Sequence, residues 1–217
     1  MKKKLVVASL LFFIFTTITF REDISISKFD VQKIQIKNNS LIDENELKKL
    51  LTPIYRKNLI FLKNREIQEA LKQNNLIEDF SVKKKYPDTL IIKIYEKKII
   101  AILFKKKNFY LSDKFELIDF KDFKNYKNLP QVLGTEDKFK IFYNNLKQNN
   151  FPIDSIKKYI LYESNRWDIE TFNGKKIMLS SKNYLQNLEN FLNLKKEVDL
   201  INYKIFDYRI ENQLIMK

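Results

Sequence analysis

The chain contains no cysteine and no histidine, and only two glycines, Gly134 and Gly174. Without cysteine there is no disulfide, no thiolate nucleophile and no cysteine-ligated zinc. Without histidine there is no Ser-His-Asp arrangement, no histidine-ligated metal and no imidazole general base. Two isolated glycines cannot build a P-loop or a dinucleotide fingerprint. We therefore expect no catalytic residue, no metal site, no cofactor and no small-molecule substrate.

The charge balance is strongly basic. Lys and Arg number 41 and Asp and Glu number 27 in a chain of 217 residues, so the net charge is +14. A balance of this kind suits nucleic acid, an anionic membrane surface or an acidic protein. Lys, Asn and Ile are all abundant while Gly, Pro and Ala are scarce, which favours compositional drift as the simpler explanation. The charge alone leaves the class of partner open.

An uncharged run of sixteen residues, 5–20, follows Met1-Lys2-Lys3-Lys4 and ends at Arg21-Glu22-Asp23. As a helix it would span roughly 24 Å, somewhat less than a hydrocarbon core of about 30 Å. Its end, Thr-Thr-Ile-Thr-Phe, lacks the small residues of a signal-peptidase site, so a retained membrane helix is favoured over a cleaved signal. The lysines before it place the amino terminus in the cytoplasm. This predicts a cytoplasmic tail at 1–4, a transmembrane helix at 5–20 and a linker at 21–28.

Residues 29–97 predict the order strand, helix, helix, strand, strand. The first strand covers 30–36, and Asp43 with Glu46 has the form of a capping box that opens the first helix. A second helix begins near Asn64. Phe80, Val82 and Lys84 alternate with Ser81, Lys83 and Lys85, a type I turn follows at Pro87-Asp88, and the last strand alternates Leu90, Ile92 and Ile94 with outward residues.

Residues 98–217 predict a mainly antiparallel β domain with flanking helices. Asn173-Gly174 indicates a hairpin with a type I′ turn, in which both residues adopt positive φ. The inward residues expected of the two helices are Phe139, Phe142, Tyr143 and Leu146 in 137–149, and Leu185, Leu188, Phe191 and Leu192 in 181–196. The predicted strands are 99–104, 109–111, 115–118, 156–163, 166–172 and 176–179, with one or two more in 203–216.

The unit at 29–97 resembles a POTRA domain, through Val31-Gln32-Lys33-Ile34-Gln35-Ile36 with Asn38-Asn39 and through Lys83–Leu90 with Ile92–Lys97. Its exit, Glu96-Lys97-Lys98-Ile99-Ile100-Ala101, is similar to the passage between domains in the bacterial cell-division family FtsQ/DivIB. The resemblance implies an α+β fold, with a POTRA domain at 29–97 and an FtsQ-type β domain at 98–217. Further matching motifs follow in the family's order: Tyr110–Asp113, Leu129–Gly134, Trp167–Ile169, Asn173-Gly174 and Phe206–Arg209.

The resemblance also implies a function. A member of this family is a non-enzymatic component of the division septum, with a single pass through the inner membrane and its bulk in the periplasm. Its partners are division proteins of the FtsB and FtsL type. A strand of the partner would add to the sheet edge at 206–215. A capped strand with solvated arginines is the simpler alternative for that segment. The partner-binding residues implied are Arg166, Phe206, Tyr208, Arg209, Ile210, Asn212 and Leu214.

Two other functions stay open at this point. One is a different POTRA-bearing protein of envelope assembly, which would normally continue into further POTRA units or a barrel. The other is a basic module that binds polyanions or a membrane surface. Nucleic-acid binding is not expected. Such a module places aromatic residues between lysines on one exposed face, whereas the aromatic residues near the lysines of this chain alternate toward the interior.

Overall fold

The computed structural model describes residues 2–17, 27–121, 128–197, 200–211 and 213–217. They form two compact units, residues 1–96 and residues 97–217. Both units combine helices with a β-sheet, so the predicted α+β class is confirmed.

The amino-terminal helix, α1, runs from Lys2 to Thr17. It contains most of the predicted membrane segment, whose residues 18–20 lie outside the described residues, as do Met1 of the predicted tail and residues 21–26 of the predicted linker. Among the residues that the structure describes, no helix combines the length and the apolar character required of a membrane span. The transmembrane helix therefore stays a prediction.

The first unit has the predicted order of elements after α1. These are β1 (Lys33–Lys37), α2 (Glu44–Leu50), α3 (Asn64–Leu71), β2 (Ile77–Lys85) and β3 (Thr89–Glu96). The strands form a sheet in the order β1-β3-β2, in which β3 is parallel to β1 and antiparallel to β2. Its core includes apolar residues of α2, α3 and β3: Leu47, Ile67, Ala70, Leu71, Leu90, Ile92 and Ile94.

Asp43 opens α2 as predicted, because its carboxylate accepts the backbone N–H groups of Asn45 at 2.8 Å and Glu46 at 3.3 Å. These are two of the donors that the start of a helix leaves unpaired. The Glu46 carboxylate accepts a hydrogen bond from Asn74 Nδ2 at 2.9 Å. That bond joins α2 to the segment that follows α3.

The β2–β3 hairpin confirms the predicted alternation, since Phe80, Val82 and Lys84 are half-buried and the residues between them are exposed. The connecting turn contains a cis peptide bond between Tyr86 and Pro87. The type I geometry of this turn stays a prediction.

Glu96, the last residue of β3, fixes the segment that leads into α2. Its carboxylate accepts the backbone N–H groups of Ser40 at 3.0 Å, Leu41 at 2.9 Å and Ile42 at 2.9 Å. Three consecutive amides on one carboxylate form an anion-binding concavity of the kind that backbone nests provide. The end of the sheet and the start of the helical segment are thereby joined.

In its described residues, the second unit contains one large sheet and two α-helices. Its nine strands are ordered β12-β11-β10-β9-β8-β7-β4-β5-β6. Pairs β4–β7, β7–β8 and β10–β11 are parallel and the other five are antiparallel, so the sheet is mainly antiparallel, as predicted. The elements are β4 (Ile99–Phe104), β5 (Phe109–Ser112), β6 (Leu117–Asp119), β7 (Gln131–Leu133), α4 (Glu136–Gln148), β8 (Ile156–Leu161), β9 (Trp167–Thr171), β10 (Lys176–Met178), α5 (Tyr184–Glu197), β11 (Ile205–Asp207) and β12 (Ile215–Met216).

Helices α4 and α5 cover one face of this sheet. Phe142 of α4 stacks on Trp167 with ring centroids 4.6 Å apart, and Phe191 of α5 meets the Phe206 ring edge-on at 5.0 Å. All four expected core residues of α4 are buried. Neighbouring strands add one fully buried row to the covered face: Leu103, Val132, Tyr159, Ile169, Ile177 and Phe206.

In α5 the expected inward position of Leu185 is wrong. Leu185 is exposed, while Leu188 and Phe191 are buried as predicted and Leu192 is half-buried. Tyr184, one turn before Leu188, occupies the inward position and its hydroxyl bonds to Asn145 of α4. The helix begins at Tyr184, three residues later than expected, because Ser180 to Asn183 form side-chain and backbone bonds that precede a helix.

The hairpin between β9 and β10 is confirmed, but its turn is not type I′. Gly174 has φ +80°, whereas Asn173 has no positive φ. The Gly174 N–H donates to the Thr171 carbonyl at 3.0 Å, and the Thr171 N–H donates to the Lys175 carbonyl at 2.9 Å. This is a three-residue loop with glycine in the left-handed position, which needs a positive φ at one residue only.

We predict that Glu96→Ala releases the segment at residues 40–42. Hydrogen bonds to a charged group contribute about 2 kcal/mol, which corresponds to roughly thirtyfold faster amide exchange at Ser40, Leu41 and Ile42. Hydrogen exchange followed by mass spectrometry or NMR measures this. Glu44→Ala removes a carboxylate from an exposed pair with Lys48 and serves as the control. Unchanged exchange in Glu96→Ala would contradict the role of Glu96.

Candidate partner-binding edge

The carboxyl-terminal end of the large sheet is formed by two short strands. β11 lies between β10, to which it is parallel, and β12, to which it is antiparallel. Ile205 and Lys217 exchange both backbone hydrogen bonds, at 2.9 and 3.1 Å. The next opposed pair, Phe206 and Met216, is therefore a pair whose backbone groups point away from each other.

This register decides what the edge offers to a partner. The backbone groups of Phe206 point toward β10, and those of Met216 point away from β11. Within the part of the chain that the structure describes, no strand pairs with this outer side of β12. The N–H and C=O of Met216 are thus presented at the sheet edge, where an added strand would bond to them.

Two strands lie in 203–216, within the one or two that were expected, but the candidate edge at 206–215 is not one continuous strand. Phe206 belongs to the inner strand β11 and Ile215 to the edge strand β12, and a turn connects them. The physical reason is local: the Asp207 carboxylate accepts the Arg209 backbone N–H at 3.0 Å, a bond that competes with continuing the strand. The chain then reverses, with the Gln213 N–H donating to the Ile210 carbonyl at 3.2 Å.

The residues expected to bind a partner separate into two groups. Phe206 and Tyr208 are buried in the core, and burial raises the pKa of the Tyr208 hydroxyl to about 12. Leu214 is half-buried against the same core. Arg209 and Ile210 are exposed on the turn. Asn212 lies outside the described residues.

Arg166 lies immediately before β9, on the sheet face that α4 and α5 leave uncovered. Its Nε is 3.3 Å from Oδ1 of Asp168, a carboxylate with no exposed surface, and its guanidinium lies 4.2 Å from the centre of the Tyr162 ring. Lys176 Nζ approaches Oδ2 of the same carboxylate at 3.4 Å. These are charge contacts without the alignment of hydrogen bonds. The buried negative charge is thus matched by two cations.

Asp207 and Arg209 form the second charge pair on this face. The Arg209 guanidinium donates from Nε at 2.8 Å and from Nη2 at 2.6 Å, one bond to each carboxylate oxygen. These bonds hold the pKa of Asp207 below its usual value, and nearby Arg166 lowers it further. Since Asp168, Met178 and Asp207 are opposed across β9, β10 and β11, both carboxylates lie on the same face.

The two arginines were predicted from the sequence as partner-binding residues, whereas the two carboxylates that pair with them were not. The pair of Asp168 and Arg166 could have been recognised in the sequence. Asp168 stands between two apolar residues in Trp-Asp-Ile, and Arg166 lies two residues earlier, on the same face of the strand. The hairpin at Asn173-Gly174 brings Lys176 to that face as well. For Asp207 the signal was its spacing of two residues from Arg209.

Comparison with known proteins agrees with this architecture. Residues 29–97 match the family model described as POTRA domain, FtsQ-type. The chain is 27% identical over 195 residues to the cell division protein FtsQ of Rickettsia bellii strain RML369-C, covering 85% of this chain and 71% of that protein. It is 26% identical over 189 residues to FtsQ of Rickettsia typhi strain ATCC VR-144 / Wilmington, with the same coverage. FtsQ of Methylomonas methanica strain DSM 25384 / MC09 is 25% identical over 169 residues, covering 73% of this chain and 64% of that protein.

The matched POTRA domain, its β-α-α-β-β order and relatives that span most of the chain all lead to one family. Residues 29–97 are thus a POTRA domain of the FtsQ type, and over 85% of its length the chain is similar to cell-division proteins of the FtsQ/DivIB family.

Proposed function

We propose that this protein is a non-enzymatic component of the bacterial division septum that binds other division proteins through the edge strand β12. Residues 5–20 would hold it in the inner membrane, with the amino terminus in the cytoplasm and residues 29–217 in the periplasm. The partners would be of the FtsB and FtsL type. The similarity to FtsQ proteins supports the division role, and the uncharged run after three lysines supports the membrane attachment.

The observation that carries the binding proposal is the outward direction of the Met216 backbone. A partner strand would accept a hydrogen bond from the Met216 N–H and donate one to the Met216 C=O. The sheet would thereby be extended by one strand. Ile215 is partly exposed on the uncovered face and provides an apolar contact beside the ladder. An edge of two residues offers few backbone bonds, so side chains on the neighbouring turn would supply the remaining contacts.

The charges near β12 favour an acidic partner segment. The Asp207 carboxylate uses two donor nitrogens of Arg209, and a guanidinium carries five N–H groups in all. The side chain of Arg209 is 44% exposed, so its remaining donors are open to a second carboxylate. On this face the four cations Arg166, Lys176, Arg209 and Lys158 outnumber the three carboxylates Asp168, Asp207 and Glu170 by one, which leaves the face positive.

The edge is tested by Met216→Pro. Proline removes the outward N–H and adds a ring on the partner side, while the bonds between Ile205 and Lys217 stay in place. Binding of a purified FtsB- or FtsL-type partner should weaken by at least about tenfold, since one interfacial backbone bond is lost and the ring blocks the added strand. Calorimetry or surface plasmon resonance measures this.

Met216→Leu keeps the backbone donor and is the matched control, for which we expect unchanged binding. Circular dichroism checks that both variants fold. Equal affinity of Met216→Pro, Met216→Leu and the unchanged chain would overturn strand addition at β12.

The charge pair next to the edge predicts a pH dependence. Because Arg209 lowers the pKa of Asp207, the pair stabilises the fold above the unfolded carboxyl pKa of about 3.9, and this contribution is lost as pH falls through the lower folded value. Arg209→Ala should move the Asp207 pKa upward toward its ordinary value, measured by carboxyl ¹³C NMR titration. Lys204→Ala removes an exposed cation nearby and should leave the titration of Asp207 unchanged. No change in Arg209→Ala would refute the pairing.

The division role is tested in cells. A fluorescent fusion expressed in the source bacterium should gather at midcell during constriction, because septal proteins are recruited by one another. The Met216→Pro fusion separates partner binding from membrane attachment, since it should stay in the membrane. Uniform labelling of the envelope by the unchanged fusion would refute the septal role.

A further inference from the structure

An exposed apolar loop lies between the two helices of the first unit. We name residues 58–62, Asn-Leu-Ile-Phe-Leu, the Phe61 loop. Leu59 and Leu62 are buried, whereas the Ile60 side chain is 43% exposed and Phe61 is 71% exposed. A large aromatic side chain directed into water beside a second apolar one is unfavourable unless something covers both.

The loop is held in a fixed conformation. The side chain of Asn58 accepts the Ile60 N–H at 3.0 Å, and the Asn58 carbonyl accepts the Leu62 N–H at the same distance. Lys84 reaches over from β2, and its Nζ donates to the Leu62 carbonyl at 2.7 Å and to the Ile60 carbonyl at 3.2 Å. The exposed residues at the tip are therefore presented by an ordered loop, whose binding costs little conformational entropy.

The segment that carries the loop is rich in cations. Residues 55–65 contain Arg56, Lys57, Lys63 and Arg65 and no acidic residue. Lys57 is paired with Glu66 and Arg65 with Glu69. Arg56 and Lys63 have no ion-pair partner in the described ranges of the chain, and the ammonium of Lys84 adds a further positive charge beside the tip.

We propose that the Phe61 loop binds the surface of an anionic lipid bilayer. Phe61 and Ile60 would enter the region between headgroups and acyl chains, and Arg56 and Lys63 would contact lipid phosphates. Apolar tips flanked by cations are the combination that interfacial membrane binding requires. The role is distinct from strand addition at β12, although it rests on the membrane attachment proposed above.

The chain length supports this occupant over a protein. Residues 18–26 separate α1 from Ser27, and a fully extended chain spans about 3.5 Å per residue, so Ser27 stays within roughly 35 Å of Thr17. If residues 5–20 lie in the bilayer, the first unit is tethered close to its surface, and weak contacts gain from the high effective concentration. Two apolar side chains are also too few for a stable protein interface, which usually buries 20–30 residues a side.

The absence of cysteine makes the test direct, since one introduced cysteine carries a single label. Full-length chain with Phe61→Cys is labelled with the environment-sensitive dye NBD and reconstituted into vesicles of phosphatidylcholine with phosphatidylglycerol. We expect a blue shift of the emission and quenching by nitroxide-labelled lipid. Both should be lost in phosphatidylcholine alone. Ile141→Cys, labelled at a side chain that is 62% exposed in the second unit, is the matched control and should show neither.

Removing charge tests the second part of the proposal. In the labelled chain, Arg56→Gln and Lys63→Gln should each reduce the lipid-contacting population by roughly fivefold, because each cation near an anionic surface contributes about 1 kcal/mol. Gln keeps a polar side chain of similar length, so the loop should keep its conformation. Lys147→Gln, on α4 of the second unit, is the control and should have no effect.

Each outcome bears on a different part of the proposal. Flotation of the chain with both vesicle types, with the label at 61 remaining in water, would overturn the loop contact and leave the membrane attachment standing. Failure to float with either vesicle would overturn both. A label that becomes protected only when another division protein is added would assign the loop to protein binding and so overturn lipid binding.

Discussion

The edge of the large sheet depends on the burial of one ring, Phe206. Its side chain has no exposed surface and is covered by Phe191 of α5, whose ring lies 5.0 Å away. This contact fixes which face of β11 is turned inward. Because side chains and backbone groups alternate along a strand, the same contact sets the register of β12 and directs the Met216 backbone outward. Loss of the ring would therefore change the edge as well as the core.

The two faces of that sheet have different chemistry. The face under α4 and α5 is apolar and aromatic, with Phe142 stacked on Trp167. The opposite face carries carboxylates at Asp168 and Asp207, each held by an arginine. A buried charge is costly unless it is matched by another charge. The pairing at Asp168 and Asp207 thus allows a polar surface to continue up to the edge strand β12 without unfolding the end of the sheet.

Elements with a long, clear period were predictable, and short or irregular ones were not. The helices α3 and α4 and the β2–β3 hairpin follow from periods of 3.6 and 2 over at least eight residues. β7 was missed because only Val132 of its three residues is fully buried, although it joins β4 to β8 at the centre of the sheet. The turn at Arg209 was missed because a single side-chain bond from Asp207 replaced an otherwise strand-like pattern.

The similarity to the FtsQ/DivIB family, the order of elements in the first unit and the arginines at the sheet end could all be read from the sequence, since periodicity, capping and motif order are visible along the chain. Only the packing of distant segments shows which residues face the core and which face solvent. Phe206 and Tyr208 look like edge residues in the sequence, yet they are buried because α5 packs against them. Ile60 and Phe61 look like core residues, yet they are exposed, because the loop that carries them is bonded to Lys84 with its tip turned outward. Burial depends on contacts between distant segments, which no local pattern encodes.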